Sequence, residues 1–226
     1  KRPKPVAGSA GIPPAVLKHV VILPWNDPEA CEKILVREGD ALAALLVDPL
    51  LGIGGVLPPA PGFLERLREV TARLGILLIF DEVISFRLAP GGAQERFGIR
   101  PDLTTLGKII GGGLPVGAFG GRADVMASFD PRGGRGRISH GGTFNANPLT
   151  MAAGVATLNN LSASFYRNLN QKAEEFADSL NSVFIEKFIG IFSNAMFELK
   201  SLVIHIASFL SNSRSNDLIN MLKIYN

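Results

Sequence analysis

Apolar residues fall along most of this chain in short runs that alternate with helically spaced positions, the pattern of a βα chain. Residues 1–19, rich in proline, glycine and alanine, read as loop, and Val20-Val21-Ile22-Leu23 reads as a first strand. Asp27-Pro28-Glu29 then opens a helix, with an acid to cap it, proline at its first position and Gly39 at its far end. Its inward positions are Ala30, Cys31, Ile34 and Leu35. Ala43 to Val47 is a buried strand that stops at Asp48-Pro49. Phe63, Leu67, Val70 and Leu74 recur at helical spacing, with Glu65, Arg66, Arg68 and Glu69 on the opposite, solvated face. Ile76-Leu77-Leu78-Ile79-Phe80 followed by Asp81-Glu82 reads as a buried parallel strand with carboxylates at its C-terminal end. Val116 to Phe119 forms another strand and Ala123 to Phe129 a short helix. Asn147-Pro148 caps a helix through Leu161, with Leu149, Ala152, Ala153 and Ala156 packed inward.

Composition changes near the end of that helix. All 15 prolines and 24 of the 25 glycines precede residue 155, which leaves the remainder few means of turning and predicts helix there. Phe165, Leu169, Phe176, Leu180, Val183 and Phe184 supply an amphipathic stripe. Two parts are therefore expected: residues 1–158, and a helical C-terminal segment over 159–226.

Charge narrows the partners. A formal net charge of +3 is too small to argue for nucleic acid. Arg132-Gly133-Gly134-Arg135-Gly136-Arg137 resembles an RNA-binding arginine–glycine patch but has no interleaved aromatics, and a loop accounts for it better. The lone cysteine, Cys31, cannot form an intrachain disulfide; it suits a reducing compartment and reads as core filler. His19, His140 and His205 have no metal-ligand spacing, so no metal is expected. The longest apolar stretch, Gly190 to Leu210, is interrupted by Glu198, Lys200 and His205, which argues against a membrane span. The chain begins at Lys1 and reads as a truncated start; the expected compartment is the cytoplasm, with a lost organelle-targeting peptide as the alternative.

Candidate chemistry centres on Thr104-Thr105-Leu106-Gly107-Lys108-Ile109-Ile110-Gly111-Gly112-Gly113. A lysine among apolar residues and glycines has two readings: an amine desolvated into a usable nucleophile, or a side chain that snorkels from a strand end. Asp81 likewise reads as a ligand-facing acid at a strand end or as a helix cap. An acid and a lysine at successive strand ends are the pair a pyridoxal phosphate (PLP) enzyme needs. The lysine forms the Schiff base, and the acid keeps the pyridine nitrogen protonated.

From Phe80 to Arg87 and from Pro101 to Ala118 the chain resembles the class III aminotransferases of PLP fold type I, in particular their glutamate-1-semialdehyde 2,1-aminomutase branch. Leu23-Pro24-Trp25-Asn26-Asp27, Ala89-Pro90-Gly91-Gly92-Ala93-Gln94-Glu95 and Gly142-Thr143-Phe144-Asn145-Ala146-Asn147-Pro148-Leu149 are similar to the same branch. The resemblance implies an α/β large domain, incomplete here, with a mostly parallel sheet flanked by helices. It implies Lys108 as the imine-forming lysine and catalytic base, Asp81 on the pyridinium nitrogen, and Val83 against the ring. It implies Gly142 and Thr143 on the cofactor phosphate, across a homodimer interface. On residue type alone, Val83 also reads as core and Thr143 as a turn residue. Small amino or oxo acids are the expected substrates, with neither nucleic acid nor membrane as partner.

The implied activity is intramolecular amino transfer, from glutamate 1-semialdehyde to 5-aminolevulinate. The alternatives are a general class III transaminase and a catalytically impaired fragment. Val83-Ile84-Ser85-Phe86-Arg87 is one residue shorter than the family pattern and lacks its glycine, which is expected to turn Phe86 and Arg87 out of register. Asp48-Pro49 stands for the family Glu-Pro, and Ile53 for the branch's asparagine. The family's N-terminal part, with its Ser-Gly-Thr phosphate loop and ring-stacking aromatic, has no counterpart, and no resemblance is found beyond Phe188.

Overall fold

The computed structural model describes residues 3–132 and 138–187. A single turn of helix, α1 (Pro14–Leu17), interrupts the N-terminal loop. Val20 to Leu23 is not a strand: it runs past with no strand pairing, and Val20 and Ile22 are partly exposed. Helix α2 (Pro28–Glu38) begins as its sequence dictates, the Asp27 carboxylate accepting from the Ala30 amide at 2.9 Å. Strand β1 (Ala44–Val47), helix α3 (Phe63–Leu74) and strand β2 (Leu77–Asp81) follow. Helix α4 (Gly92–Phe97) leads to β3 (Leu103–Gly107), a 3₁₀ turn over Lys108–Gly111, and β4 (Gly117–Gly121). Helices α5 (Ala123–Met126), α6 (Pro148–Asn160) and α7 (Ala163–Lys187) complete the described chain.

The four strands lie in the order β1-β2-β3-β4, with β1–β2 and β2–β3 parallel and β3–β4 antiparallel. The expected α/β architecture with a mostly parallel sheet is thus present. Its two faces differ. One carries Leu78 and Phe80 against Cys31 and Leu35 of α2 and Phe63, Leu67 and Val70 of α3, all buried. Each such leucine, valine or phenylalanine taken out of water contributes roughly 1.5–3 kcal/mol, so this dry face dominates the stability.

The other face follows from the register. Leu46 pairs with Ile79 and Ile79 with Leu103; Asp81 pairs with Thr105 and Thr105 with Phe119. Side chains alternate along a strand, so these residues share the face opposite Leu78 and Phe80. Leu46 is 61% exposed, so β1, first in the strand order, is covered on one face only among the described residues rather than buried as expected.

Asp102 stitches the sheet to α3 at the start of β3. It accepts from the Leu78 amide at 2.7 Å, from Arg68 at 2.8 Å and from Arg122 at 2.9 Å. Burial alone would raise this carboxyl, but the Leu78 amide and the Arg122 and Arg68 guanidiniums together hold it below the ordinary aspartate value.

Helix α6 is capped by Asn147, whose side chain accepts from the Leu149 and Thr150 amides. Its inward face is not the expected one. Thr150 and Gly154 are buried, whereas Leu149 is 70% exposed and Ala152 and Ala156 also face out. The partner of α6 is the 3₁₀ turn, met backbone to backbone, where only small side chains fit. Helix α7 buries Tyr166, Leu169, Ala173 and Ala177, with Phe176 and Leu180 half-buried and Phe165 turned outward. The expected contributions of Val183 and Phe184 lie outside the described side chains, as do residues 133–137 of the arginine–glycine run and the stretch from Gly190. Among the described residues no helix is long and apolar enough to cross a membrane.

Candidate active site

Strands β2 and β3 are parallel neighbours, so their C-terminal ends open on the same edge of the sheet, where α/β folds bind ligands. Asp81 ends β2 and Lys108 follows the last residue of β3. Asp81 pairs with Thr105, and Lys108 lies three residues farther on, roughly 10 Å along the strand direction. A six-membered ring substituted opposite its nitrogen, met by the four-carbon lysine arm, can fill such a gap.

Asp81 is held by its surroundings. Oδ1 accepts from the Thr105 hydroxyl at 3.0 Å and from the Val83 amide at 3.2 Å. Among the described residues no donor reaches Oδ2, which leaves that oxygen for a ligand. Strand β2 stops at Asp81 and Val83 sits in a turn, so strand alternation does not set the direction of its side chain. It lies instead beside Gly107, where a built Cβ would be 3.3 Å from Val83 Cγ1. The valine therefore packs on bare glycine backbone beside the lysine.

Lys108 has φ of 48°, a left-handed conformation uncommon outside glycine, and strain of this kind clusters at functional positions. The turn that imposes it is fixed from behind. Ideal Cβ atoms on Gly112 and Gly154 would run into the carbonyl oxygens of Ala153 and Ile110, and one on Gly111 would lie 2.7 Å from Val116 Cγ1. Lys108 itself is exposed, and the desolvation expected from its apolar neighbours in sequence is not present in this chain alone. Sequence neighbours do not cover a strand end; that takes an element laid over the edge.

Next to Asp81, Glu82 is fully buried and accepts from the amides of Ala93 and Gln94 and from Gln94 Nε2. Burial pushes this carboxyl up, and those three hydrogen bonds pull it back only partly. Gln94 Nε2 also donates to Thr104 Oγ1 at 3.0 Å. The shortened segment folds as a 3₁₀ turn, Ser85–Leu88, in which Ser85 Oγ and Arg87 Nε are buried without a partner among the described residues. Burial lowers the Arg87 guanidinium, with Tyr166 of α7 close enough to oppose the shift.

Gly142 and Thr143 are exposed in the turn before α6, and the bond there is local, from the Asn145 amide to the Gly142 carbonyl at 3.0 Å. The fold thus brings Asp81, Val83 and Lys108 to one edge and leaves Gly142 and Thr143 at a separate surface turn. Sequence reasoning missed Thr105 and the buried Glu82; two adjacent threonines inside an apolar strand were the available signal for the first.

An α/β chain with an acid and a lysine at the ends of neighbouring parallel strands defines the class of site. The chain belongs to the class-III aminotransferase family, whose model matches residues 10–189. That match runs past residue 158, so α7 falls inside it. Glutamate-1-semialdehyde 2,1-aminomutase of Ignicoccus hospitalis is 49% identical over 188 residues, covering 82% of this chain and 44% of that enzyme. The crystal structure of an omega-transaminase from Sphaerobacter thermophilus superposes with a TM-score of 0.78 at 49% identity, over 79% of this chain and 41% of that one. A glutamate-1-semialdehyde-aminomutase from Pseudomonas aeruginosa in complex with PMP gives a TM-score of 0.66 at 32% identity, over 78% and 41%. The chain therefore spans less than half the length of each of these relatives.

Proposed function

We propose that this chain carries the PLP-binding acid–lysine pair of a glutamate-1-semialdehyde 2,1-aminomutase, which moves an amino group within one substrate molecule to give 5-aminolevulinate. The observation that carries the reading is the Oδ2 of Asp81, which has no donor among the described residues, on a carboxylate already anchored through Oδ1, at the strand end beside the one that presents Lys108. A pyridinium N–H fits that oxygen, and the valine–glycine surface at Val83 and Gly107 fits a flat ring. When bound, PLP supplies an aldehyde that takes up the amino group and a ring that accepts electrons. Asp81 holds the proton on the ring nitrogen through a charge-assisted bond of roughly 1.5–3 kcal/mol. Lys108 would hold the cofactor through its amine and, once freed, would carry a proton to or from the substrate carbon that bears the transferred nitrogen, two tasks that need one position of the amine. Substrate and product are isomers, so no amino donor is consumed.

Gly142 and Thr143 bind the cofactor phosphate of a partner chain in a homodimer. The exposure of Phe144 (81%) and Leu149 (70%) beside them supports a covered interface in the assembly. The substrate is a small amino or oxo acid and the compartment the cytoplasm, consistent with a reduced, buried Cys31.

The test begins with the lysine. The chain is mixed with PLP, reduced with borohydride and digested; the label is expected on Lys108, and its absence there ends the reading. The higher TM-score to the omega-transaminase favours a second reading, exchange between an amino donor and an oxo acid. Semialdehyde supplied without a donor separates them, since only the mutase yields 5-aminolevulinate.

A further inference from the structure

Thr104 and Thr105 are adjacent on β3 and so face opposite sides of the sheet. Each hydroxyl is used. Thr104 Oγ1 accepts from Gln94 Nε2, which also bonds Glu82. Thr105 Oγ1 donates to Asp81 Oδ1 at 3.0 Å, and its carbonyl accepts from the Glu82 amide at 3.0 Å. One residue therefore grips the end of β2 twice, by main chain and by side chain, at the register position directly opposite Asp81. The Val83 amide is a second donor to the same carboxylate oxygen. A carboxylate whose Oδ1 is held by two donors cannot rotate without breaking both, and its free oxygen points one way.

We infer that Thr105 is a positioning residue: its hydroxyl fixes the Asp81 carboxylate so that Oδ2 faces the cofactor's ring nitrogen. The inference rests on the reading of Asp81 proposed above. Oδ1 takes the two internal bonds and keeps its negative charge shared with them, while Oδ2 retains the lone pair that a pyridinium needs. Valine in place of Thr105 keeps the shape and suits a strand, yet loses the donor; serine keeps the donor and loses only a methyl group.

The experiment compares the wild-type chain with T105V, T105S and D81N. The PLP dissociation constant is measured by titration, and the ring-nitrogen shift of bound ¹⁵N-labelled PLP is read by NMR. Removing one hydrogen bond to a charged group is expected to weaken PLP binding about tenfold in T105V. The ring-nitrogen signal of T105V should move toward the unprotonated form, and T105S should recover both readouts to within about threefold of wild type. A simple loss of packing would lower the thermal midpoint of T105V without moving the nitrogen signal. If T105V matches wild type in both readouts while D81N binds weakly, the role of Thr105 is wrong and that of Asp81 stands. If D81N binds as wild type, or the wild-type chain has no measurable affinity, the reading of Asp81 fails and this inference goes with it.

Discussion

Gly154 of α6 lies directly against the carbonyl oxygen of Ile110, two residues beyond Lys108. The helix reaches the lysine-bearing turn at a point where neither side has a side chain to yield. Gly154→Ala places a methyl group into a backbone acceptor, and overpacking of this kind costs about 1–3 kcal/mol. The variant should unfold at lower urea concentration, and its Lys108 should be labelled by PLP and borohydride less efficiently than in wild type. Wild-type values in both measurements would show that the contact constrains nothing.

Asp102 makes acid sensitivity predictable. Its carboxyl is held below the ordinary aspartate value in the fold, its hydrogen bonds outweighing burial. A lowered folded value means that its stabilisation is present above the unfolded value of about 3.9 and is lost as pH falls through the folded one. Urea unfolding should thus show stability declining below about pH 4. Asp102→Asn should cost about 3 kcal/mol at pH 7, because it removes the buried charge opposite Arg68 and Arg122 and sets an amide nitrogen against one of the donors. The gap between the two proteins should narrow in acid. A gap equal at pH 3 and pH 7 would rule out the carboxylate as its source.

The parts of this fold legible in the sequence are those set by neighbours a few residues apart. Asp27 and Asn147 cap the helices they precede because a cap needs only its own first turn. Asp81 and Lys108 fall at strand ends because a run of apolar residues broken by charge is itself the end of a strand. Features that depend on a distant partner were not legible. Val20 to Leu23 has strand composition, but composition does not show whether a strand lies beside it. Leu149 and Ala152 satisfy helical periodicity, yet the turn that α6 meets presents bare backbone and selects Thr150 and Gly154. Thr105 acquires its bond to Asp81 from the register of β2 against β3, and Asp102 draws Arg68 and Arg122 from 34 and 20 positions away.

Cys31 should be inert. It is fully buried, its Sγ donates to the Pro24 carbonyl at 3.1 Å, and burial with the nearby Asp27 pushes the thiol up to about 11. At pH 8 only about one molecule in a thousand would carry the thiolate, the form that attacks disulfide reagents. A dithiobenzoate titration should find no reactive thiol in the native protein and one after denaturation. Rapid reaction in the native state would mean that α2 opens readily.

Glu82 predicts the opposite pH dependence to Asp102. Burial raises its carboxyl, and the Ala93 and Gln94 donors compensate in part. A raised folded value means that its contribution is fully present below the unfolded value of about 4.3 and is lost as pH rises through the folded one. Glu82→Gln cannot ionise, but it sets an amide nitrogen against a donor and should cost about 1–2 kcal/mol in acid. Measured by urea unfolding, the stability of wild type relative to this variant should fall as pH rises from the unfolded value through the raised folded one, and then level off. Gly92 gives an independent check on the same contact. It has φ of 76°, and a Cβ there would collide with Glu82 Oε2, so Gly92→Ala should destabilise the protein at every pH through backbone strain and displacement of the carboxylate. A Glu82→Gln difference that stays constant with pH would mean that the carboxyl keeps one protonation state across the range, and the buried charge would then have no part in the stability of the Asp81 strand end.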